Sequence, residues 1–201
     1  MLAEESKAVA EHQRRRFNEL VDVFDRPQPH EVMARLREIV ASAELRPGSV
    51  VLDVGTGAGV LIPLIQSYQT SGVLACDVAE KMLQRVQHKY PTVHTFHTDI
   101  VSLALASTSL DAIFMNGMYG NIADKPAACS NAARMLRSGG RLVISHPEGR
   151  TFVDQLRATS DLFIESLPTK EEFELLLEPL GLKVIAYRDD PKLYLMVARK
   201  S

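Results

Sequence analysis

The chain is poor in the features that mark secreted, membrane-spanning or nucleic-acid-binding proteins. Of its 201 residues only Cys76 and Cys129 are cysteines. They stand far apart in apolar or alanine-rich surroundings, without Cys-x-x-Cys or Cys/His ligand spacing, so they read as reduced, buried thiols and not as redox or metal groups. Charge of neither sign is in excess. A net charge of -2 gives no electrostatic reason for a polyanionic partner, and without a local basic face nucleic acid is not expected as one. No apolar run approaches membrane-spanning length. The opening Met-Leu-Ala-Glu-Glu-Ser-Lys lacks the basic start and apolar core of a secretion leader, so the expected location is cytoplasmic, or an organelle interior if a transit peptide has been removed. Internal repeats and low-complexity tracts are missing too. What remains is an ordinary folded composition, 46% hydrophobic and 24% charged, which argues against wholesale disorder. The length suits one substantial core. We expect residues 1–48 to form an N-terminal helical extension and residues 49–201 the main domain.

The most informative stretch is residues 50–59, Val-Val-Leu-Asp-Val-Gly-Thr-Gly-Ala-Gly. A short valine-rich run ending in alternate glycines, then Leu61, Ile62, Leu64 and Ile65 at roughly helical spacing, predicts a buried strand, a tight turn and a helix. Glycine suits a turn where the backbone takes positive φ and approaches a ligand without a Cβ between. N–H groups at the following helix start would suit a carboxylate or phosphate. The dinucleotide fingerprint places its third glycine three positions after the second. Here Gly55, Gly57 and Gly59 alternate and Val60 holds that third-glycine position, which weakens a nicotinamide reading. A structural βα turn without a ligand is the bland alternative.

Along the rest of the chain, residues 3–24 are free of Gly and Pro and carry Phe17, Leu20, Val21 and Phe24 on one stripe, predicting a helix. The run Arg14-Arg15-Arg16 reads as a solvated face. Pro27 and Pro29 end the helix, and residues 30–43 predict a second one, followed by a turn at Pro47-Gly48. Residues 72–76 predict a strand ending in Asp77, about 20 residues past the glycines, where a carboxylate can accept hydrogen bonds from both hydroxyls of a ribose. Asp77 as a helix cap is the plain alternative. Residues 93–97 predict a strand before Asp99-Ile100; His94 and His97 in it point to opposite faces, so no metal site is expected. Residues 110–115 predict another strand, leading to Asn116-Gly117-Met118-Tyr119. Residues 127–136 predict a helix stopped by Gly139-Gly140, and residues 141–145 a strand ending at the polar cluster His146-Pro147-Glu148-Gly149-Arg150. Helices over 151–160 and 168–180 and strands over 183–187 and 193–198 complete the pattern.

Taken in order, these motifs resemble the class I S-adenosylmethionine-dependent methyltransferases of the small-molecule type. The resemblance runs from residue 50 to the C-terminus. It implies an α/β, Rossmann-like, doubly wound sheet of seven strands, mostly parallel with an antiparallel last strand, and N-terminal helices that act as a lid. Phe17, Phe24 and His30 would then be candidate pocket residues. The implied cofactor is S-adenosyl-L-methionine, bound by Asp53, Gly55, Thr56, Gly57 and Gly59, by Asp77, Val78 and Met82, by Asp99 and Ile100 at the adenine, and by Asn116 and Gly117 near the methionine portion. The implied partner is a small-molecule acceptor. The loop at Asn116 lacks the Asn-Pro-Pro-Tyr type motif of base-modifying enzymes. For proton removal His146 is the candidate, since imidazole titrates near neutrality. Tyr119 is a candidate for positioning, and Arg150 for holding an acidic acceptor. A non-catalytic module for the same cofactor and a nicotinamide oxidoreductase are the competing functions.

Overall fold

The structure is a computed structural model that describes residues 3–201, with side chains from residue 8 onward; the reading of the opening residues as no secretion leader lies largely outside that range. Helix α1 (Ala3–Glu19) is followed by a single turn, α2 (Val21–Phe24), and by α3 (His30–Ala41). The helix expected over 3–24 is thus broken at Leu20. There the chain tightens, with the Leu20 N–H shared between the carbonyls of Arg16 and Phe17 at 3.2 Å each, an i→i+3 contact typical of a helix end. Then come β1 (Val50–Val54), a short α4 (Ile62–Gln66), β2 (Gly72–Asp77), α5 (Glu80–Lys89), β3 (His94–His97) and β4 (Leu110–Asn116). The remainder is α6 (Lys125–Met135), β5 (Leu136–His146), α7 (Gly149–Thr159), α8 (Lys170–Leu177), β6 (Leu182–Asp190) and β7 (Leu193–Lys200).

The seven strands form one sheet in the order β3-β2-β1-β4-β5-β7-β6. Strands β1 to β5 are parallel, and β7 runs antiparallel to both neighbours. Strand order reverses between β1 and β4, so the carboxyl ends of these two open the crevice in which open α/β sheets bind ligands. Because side chains alternate along a strand, the sheet divides its apolar residues between two layers. Val51, Phe114, Val143 and Val197 pack with Leu36, Ile39, Ile62 and Ile65 on one face. Leu52, Ile113, Ile144 and Met196 pack with Ala128, Ala132 and Phe173 on the other. Each fully buried side chain of this size contributes about 1.5–3 kcal/mol, so the crevice is built on a rigid floor.

Two local departures have clear causes. Strand β5 starts at Leu136, five residues before the expected start: Leu110 pairs with Leu136 and Ala112 with Arg141, so residues 137–140 form an irregular insertion within one strand. Helix α8 begins after a reciprocal capping box, Thr169 and Glu172 each bonding the other's backbone N–H, as Thr-x-x-Glu favours. It continues as a single 3₁₀ turn to Leu180, where Gly181 in the left-handed region stops it.

Candidate functional site: a glycine turn, two acids and a roofed crevice

At the end of β1 the turn is fastened to β2. The N–H groups of Gly55 and Thr56 donate to the Cys76 carbonyl at 2.8 and 3.2 Å, and the Gly57 N–H donates to Asp77 Oδ2 at 2.9 Å. Asp77 Oδ1 accepts the Ala79 N–H at 2.9 Å. Each Asp77 oxygen therefore keeps lone-pair capacity for a further donor. Burial raises the Asp77 carboxyl above its ordinary range against the pull of these backbone bonds. Asp53, 2% exposed, accepts the Thr56 hydroxyl at 2.7 Å, and burial pushes it up to about 7, the Asp77 charge adding to the effect. The expected anion cradle is corrected by this geometry: three turn N–H groups point inward, α4 is only five residues long, and two buried acids lie beside them. A pyrophosphate fits such a surface poorly, whereas a ribose or a cationic amino acid fits it well.

Beside the turn a cavity of about 450 Å³ is lined by Val78, His97, Thr98 and Asp99 at the ends of β2 and β3, and by Ala10, Glu11 and Arg14 of α1. Asp99 Oδ1 caps a turn by accepting the Ser102 N–H at 2.7 Å. Helix α1 thus lies along one side of this cavity. Helix α1 is tied to α5 through Arg14 to Glu80 at 3.0 Å, Asn18 to Glu80 at 3.0 Å and the Lys81 N–H to Asn18 at 2.9 Å. Asp22 and Asp25 bind Arg85, and Asp25 also binds Lys89. On the other side the buried Gln13 donates to the Phe163 carbonyl at 2.7 Å. Neither Ile100 nor Met82 borders this cavity; both are buried in the interior. Phe17 and Phe24 pack edge to face on each other at 6.0 Å, and Phe24 and His30 are exposed; none of the three lines the cavity.

Past β4 the picture changes. Asn116 Oδ1 accepts the Ser145 hydroxyl at 2.9 Å and the Gly117 N–H donates to the Ser145 carbonyl at 2.8 Å, locking the ends of β4 and β5 together. Tyr119 is corrected: its ring is 1% exposed and packs on Phe173 at 5.4 Å. Its hydroxyl lies 3.8 Å from the Cys129 sulfur, and burial holds the phenol well above its ordinary range. It is a core residue. Arg150 is corrected likewise. Its guanidinium is engaged by Asp189, the carbonyls of Leu167 and Pro168, and Tyr187. His146 stays at the crevice, half-buried, its Nδ1 accepting the Glu148 backbone N–H at 3.2 Å and its ring 5.3 Å from Phe152. Burial lowers it to about 4. It borders a niche of about 30 Å³ that also touches Gly117, Met118, Val153, Leu156, Ile164 and Leu167. Sequence reasoning missed this apolar wall, which comes from α7 and the strap between α7 and α8. The strap closes on Gly120, where a Cβ would stand 2.8 Å from the Glu165 carbonyl. Met118 joins the niche to the turn by lying over Gly55, where a Cβ would meet its Cγ at 2.8 Å. Among the described residues no cluster of three metal-ligating side chains occurs, and both cysteines are buried free thiols.

Strand order, the alternating glycines and the acids at successive strand ends define a class I, Rossmann-like methyltransferase domain. Residues 52–144 match the family model described as a methyltransferase domain. It is 32% identical over 140 residues to a malonyl-(acyl-carrier protein) O-methyltransferase of Xylella fastidiosa, covering 67% of this chain and 48% of that protein. It is 32% identical over 119 residues to a demethylmenaquinone methyltransferase of Paenarthrobacter aurescens, covering 56% of this chain and 46% of that one. The chain thus spans about half the length of these curated relatives. The crystal structure of an S-adenosylmethionine-dependent methyltransferase from Aquifex aeolicus superposes with a TM-score of 0.74 at 21% identity, covering 92% of this chain and 98% of that one.

Proposed function

We propose that this protein transfers a methyl group from S-adenosylmethionine to a small-molecule acceptor. The observation that carries the reading is the bond of the Gly57 N–H to Asp77 at 2.9 Å, next to the cavity beneath α1 that Val78 and Asp99 line. In this reading Asp77 accepts hydrogen bonds from ribose hydroxyls with the lone pairs its backbone donors leave free, and Val78 and Asp99 bound the adenine. Gly55, Thr56 and Gly59 shape the turn. Asp53, Asn116 and Gly117 lie toward the methionine portion, where the buried Asp53 favours a cationic amino acid. When bound, the cofactor supplies a methyl group already activated by its sulfonium, so the protein's task is to hold an acceptor in line and exclude water. Helix α1 and the strap over residues 160–169 serve the second of these.

The names of the relatives support a methyl acceptor outside nucleic acid, and no described helix is long and apolar enough to cross a membrane; a cytoplasmic location is part of the same proposal. Calorimetry with S-adenosylhomocysteine tests the reading, with micromolar binding expected; absence of binding to it and to S-adenosylmethionine defeats it. Tight binding without release of labelled methyl to any of a broad acceptor panel would favour the non-catalytic alternative.

A further inference from the structure

The niche beside Met118 has few polar side chains, and three of them have partners elsewhere. The Tyr119 hydroxyl faces Cys129, the Ser145 hydroxyl donates to Asn116, and the Asn121 amide donates to the Phe163 carbonyl at 3.0 Å. His146 is the exception, and the Glu148 N–H dictates how its ring is used. An imidazole nitrogen that accepts a hydrogen bond carries no proton, so in the neutral ring the proton sits on Nε2. Acting as a base through Nε2 would require the other tautomer, with Nδ1–H turned against the Glu148 N–H. Forming the cation would create the same clash. The depressed basicity of the half-buried ring agrees with this. The arrangement is held from outside the niche: Arg35 of α3 donates to the Pro147 carbonyl and to Glu148, the latter at 3.1 Å, and its side chain is only 16% exposed. Among the side chains bordering the niche, His146 then presents Nε2–H as a donor, and no group is poised to take a proton.

Resting on the methyltransferase reading, we infer that the acceptor is an apolar molecule that arrives with an ionised oxygen, a carboxylate or an acidic enol or phenol, and that His146 Nε2–H hydrogen-bonds this oxygen instead of deprotonating it. The reacting end fits the niche, and the apolar body lies outward along Leu156 and Phe152, large side chains that remain 37% and 39% exposed. In the transfer an oxygen lone pair forms the bond to the methyl carbon as the carbon–sulfur bond of the sulfonium donor breaks, its electron pair staying on sulfur. The products are a methyl ester or ether and a neutral thioether, and no proton passes to the protein. An amine, largely protonated at neutral pH, would need a base that the niche does not offer.

The test is long-range ¹H–¹⁵N NMR of the imidazoles in the full chain saturated with S-adenosylhomocysteine, whose binding by calorimetry tests the underlying reading separately. The expected result is a neutral His146 with its proton on Nε2 from pH 6 to 8, and an Nε2–H signal that shifts on titration with members of a panel of aliphatic and aryl carboxylates but not with the matching alcohols. The Nδ1–H tautomer or an imidazolium at pH 7 overturns the inference, as does equal response to the alcohols, or no response to carboxylates and to acidic phenols and enols alike. His146→Gln, which keeps an N–H at similar reach without a base, should retain carboxylate binding within a few-fold, whereas His146→Phe should lose about ten- to a hundredfold, the range of a hydrogen bond to a charged group. Equal loss in both variants, with thermal melting intact, also overturns it.

Discussion

The two halves of the crevice are built by opposite means. On the β1–β2 side, polar groups of neighbouring strands satisfy one another through the backbone: the Cys76 carbonyl takes two turn N–H groups and Asp77 a third. On the β4–β5 side the wall is apolar and comes from α7 and the strap, with polar side chains engaged by Cys129, Phe163 and Asp189. A backbone-bonded site is fixed before any ligand arrives, and its shape belongs to the fold. An apolar wall contributed by a separate helix and strap can change its lining residues without disturbing the sheet. The first half therefore suits a cofactor common to many enzymes, and the second suits an acceptor peculiar to one.

The largest expected effect separates the halves by charge. An aspartate in the unfolded chain ionises near about 3.9, whereas Asp53 in the fold is pushed up to about 7. A raised folded value stabilises the fold fully below the unfolded value, and that contribution is lost as pH rises through the folded one. Relative to the parent, Asp53→Asn should therefore gain up to about 4 kcal/mol of stability between pH 4 and pH 8. Urea unfolding at a series of pH values reads this directly. His146 has the opposite arrangement, since a lowered folded value in a base makes protonation on unfolding favourable. Its contribution to stability is present above about pH 6.5 and is lost as pH falls toward about 4. A flat difference curve for Asp53→Asn would mean the turn is not the closed electrostatic unit described.

Second in size is Asp77→Ala. It leaves the Gly57 and Ala79 N–H groups without their acceptors and removes the proposed ribose contact. Affinity for S-adenosylhomocysteine should fall about a hundredfold or more by calorimetry. Stability should fall by about 1–3 kcal/mol. Loss of stability alone, with binding unchanged, would leave Asp77 a helix cap.

Two glycines of the same turn sharpen the contrast further. Gly59 has φ +84, and a Cβ there would stand 2.8 Å from Ile62 Cδ1 and 3.0 Å from Tyr90 Cε2. Gly57 has φ +54 with open space beyond it. Gly59→Ala should cost about 1–3 kcal/mol in urea unfolding, through strain and overpacking. Gly57→Ala should cost only about 1 kcal/mol, from the left-handed backbone, yet weaken cofactor binding more than Gly59→Ala does. Equal binding losses would remove the claim that Gly57 faces the ligand.

The same division explains what was legible in the sequence. Asp53, the alternate glycines, Asp77 and Asp99 could be read because each stands at a strand end and strand ends follow from local apolar runs; the topology then brings them together. The apolar wall could not be read. Leu156, Ile164 and Leu167 look like ordinary core residues in sequence, and only the path of the strap puts them beside His146. Tyr119 and Arg150 misled because residue chemistry says nothing about direction. One turns to Cys129 and the other to Asp189, each satisfying a group the sequence does not pair with it. The one signal available in advance was on α7, where Phe152 and Leu156 share a helical face that the core leaves exposed.

The smallest effect concerns the roof. Arg14, Glu11 and Glu80 are surface-exposed ion-pair partners, and such pairs contribute little because water screens them and holding long side chains in place costs entropy. Asn18 still ties α1 to α5 through Glu80 and the Lys81 N–H when Arg14 is removed, and the buried Gln13 bond to the Phe163 carbonyl is untouched. Arg14→Ala should therefore raise the S-adenosylhomocysteine dissociation constant by less than about threefold. Gln13→Ala should exceed it, since its bond is shielded and links α1 to the strap that also receives Asn121. Calorimetry at low and high salt distinguishes the two. The Arg14 effect should vanish as salt rises and the Gln13 effect should persist, whereas a salt-dependent loss in both would make the roof an ionic latch instead of a packed one.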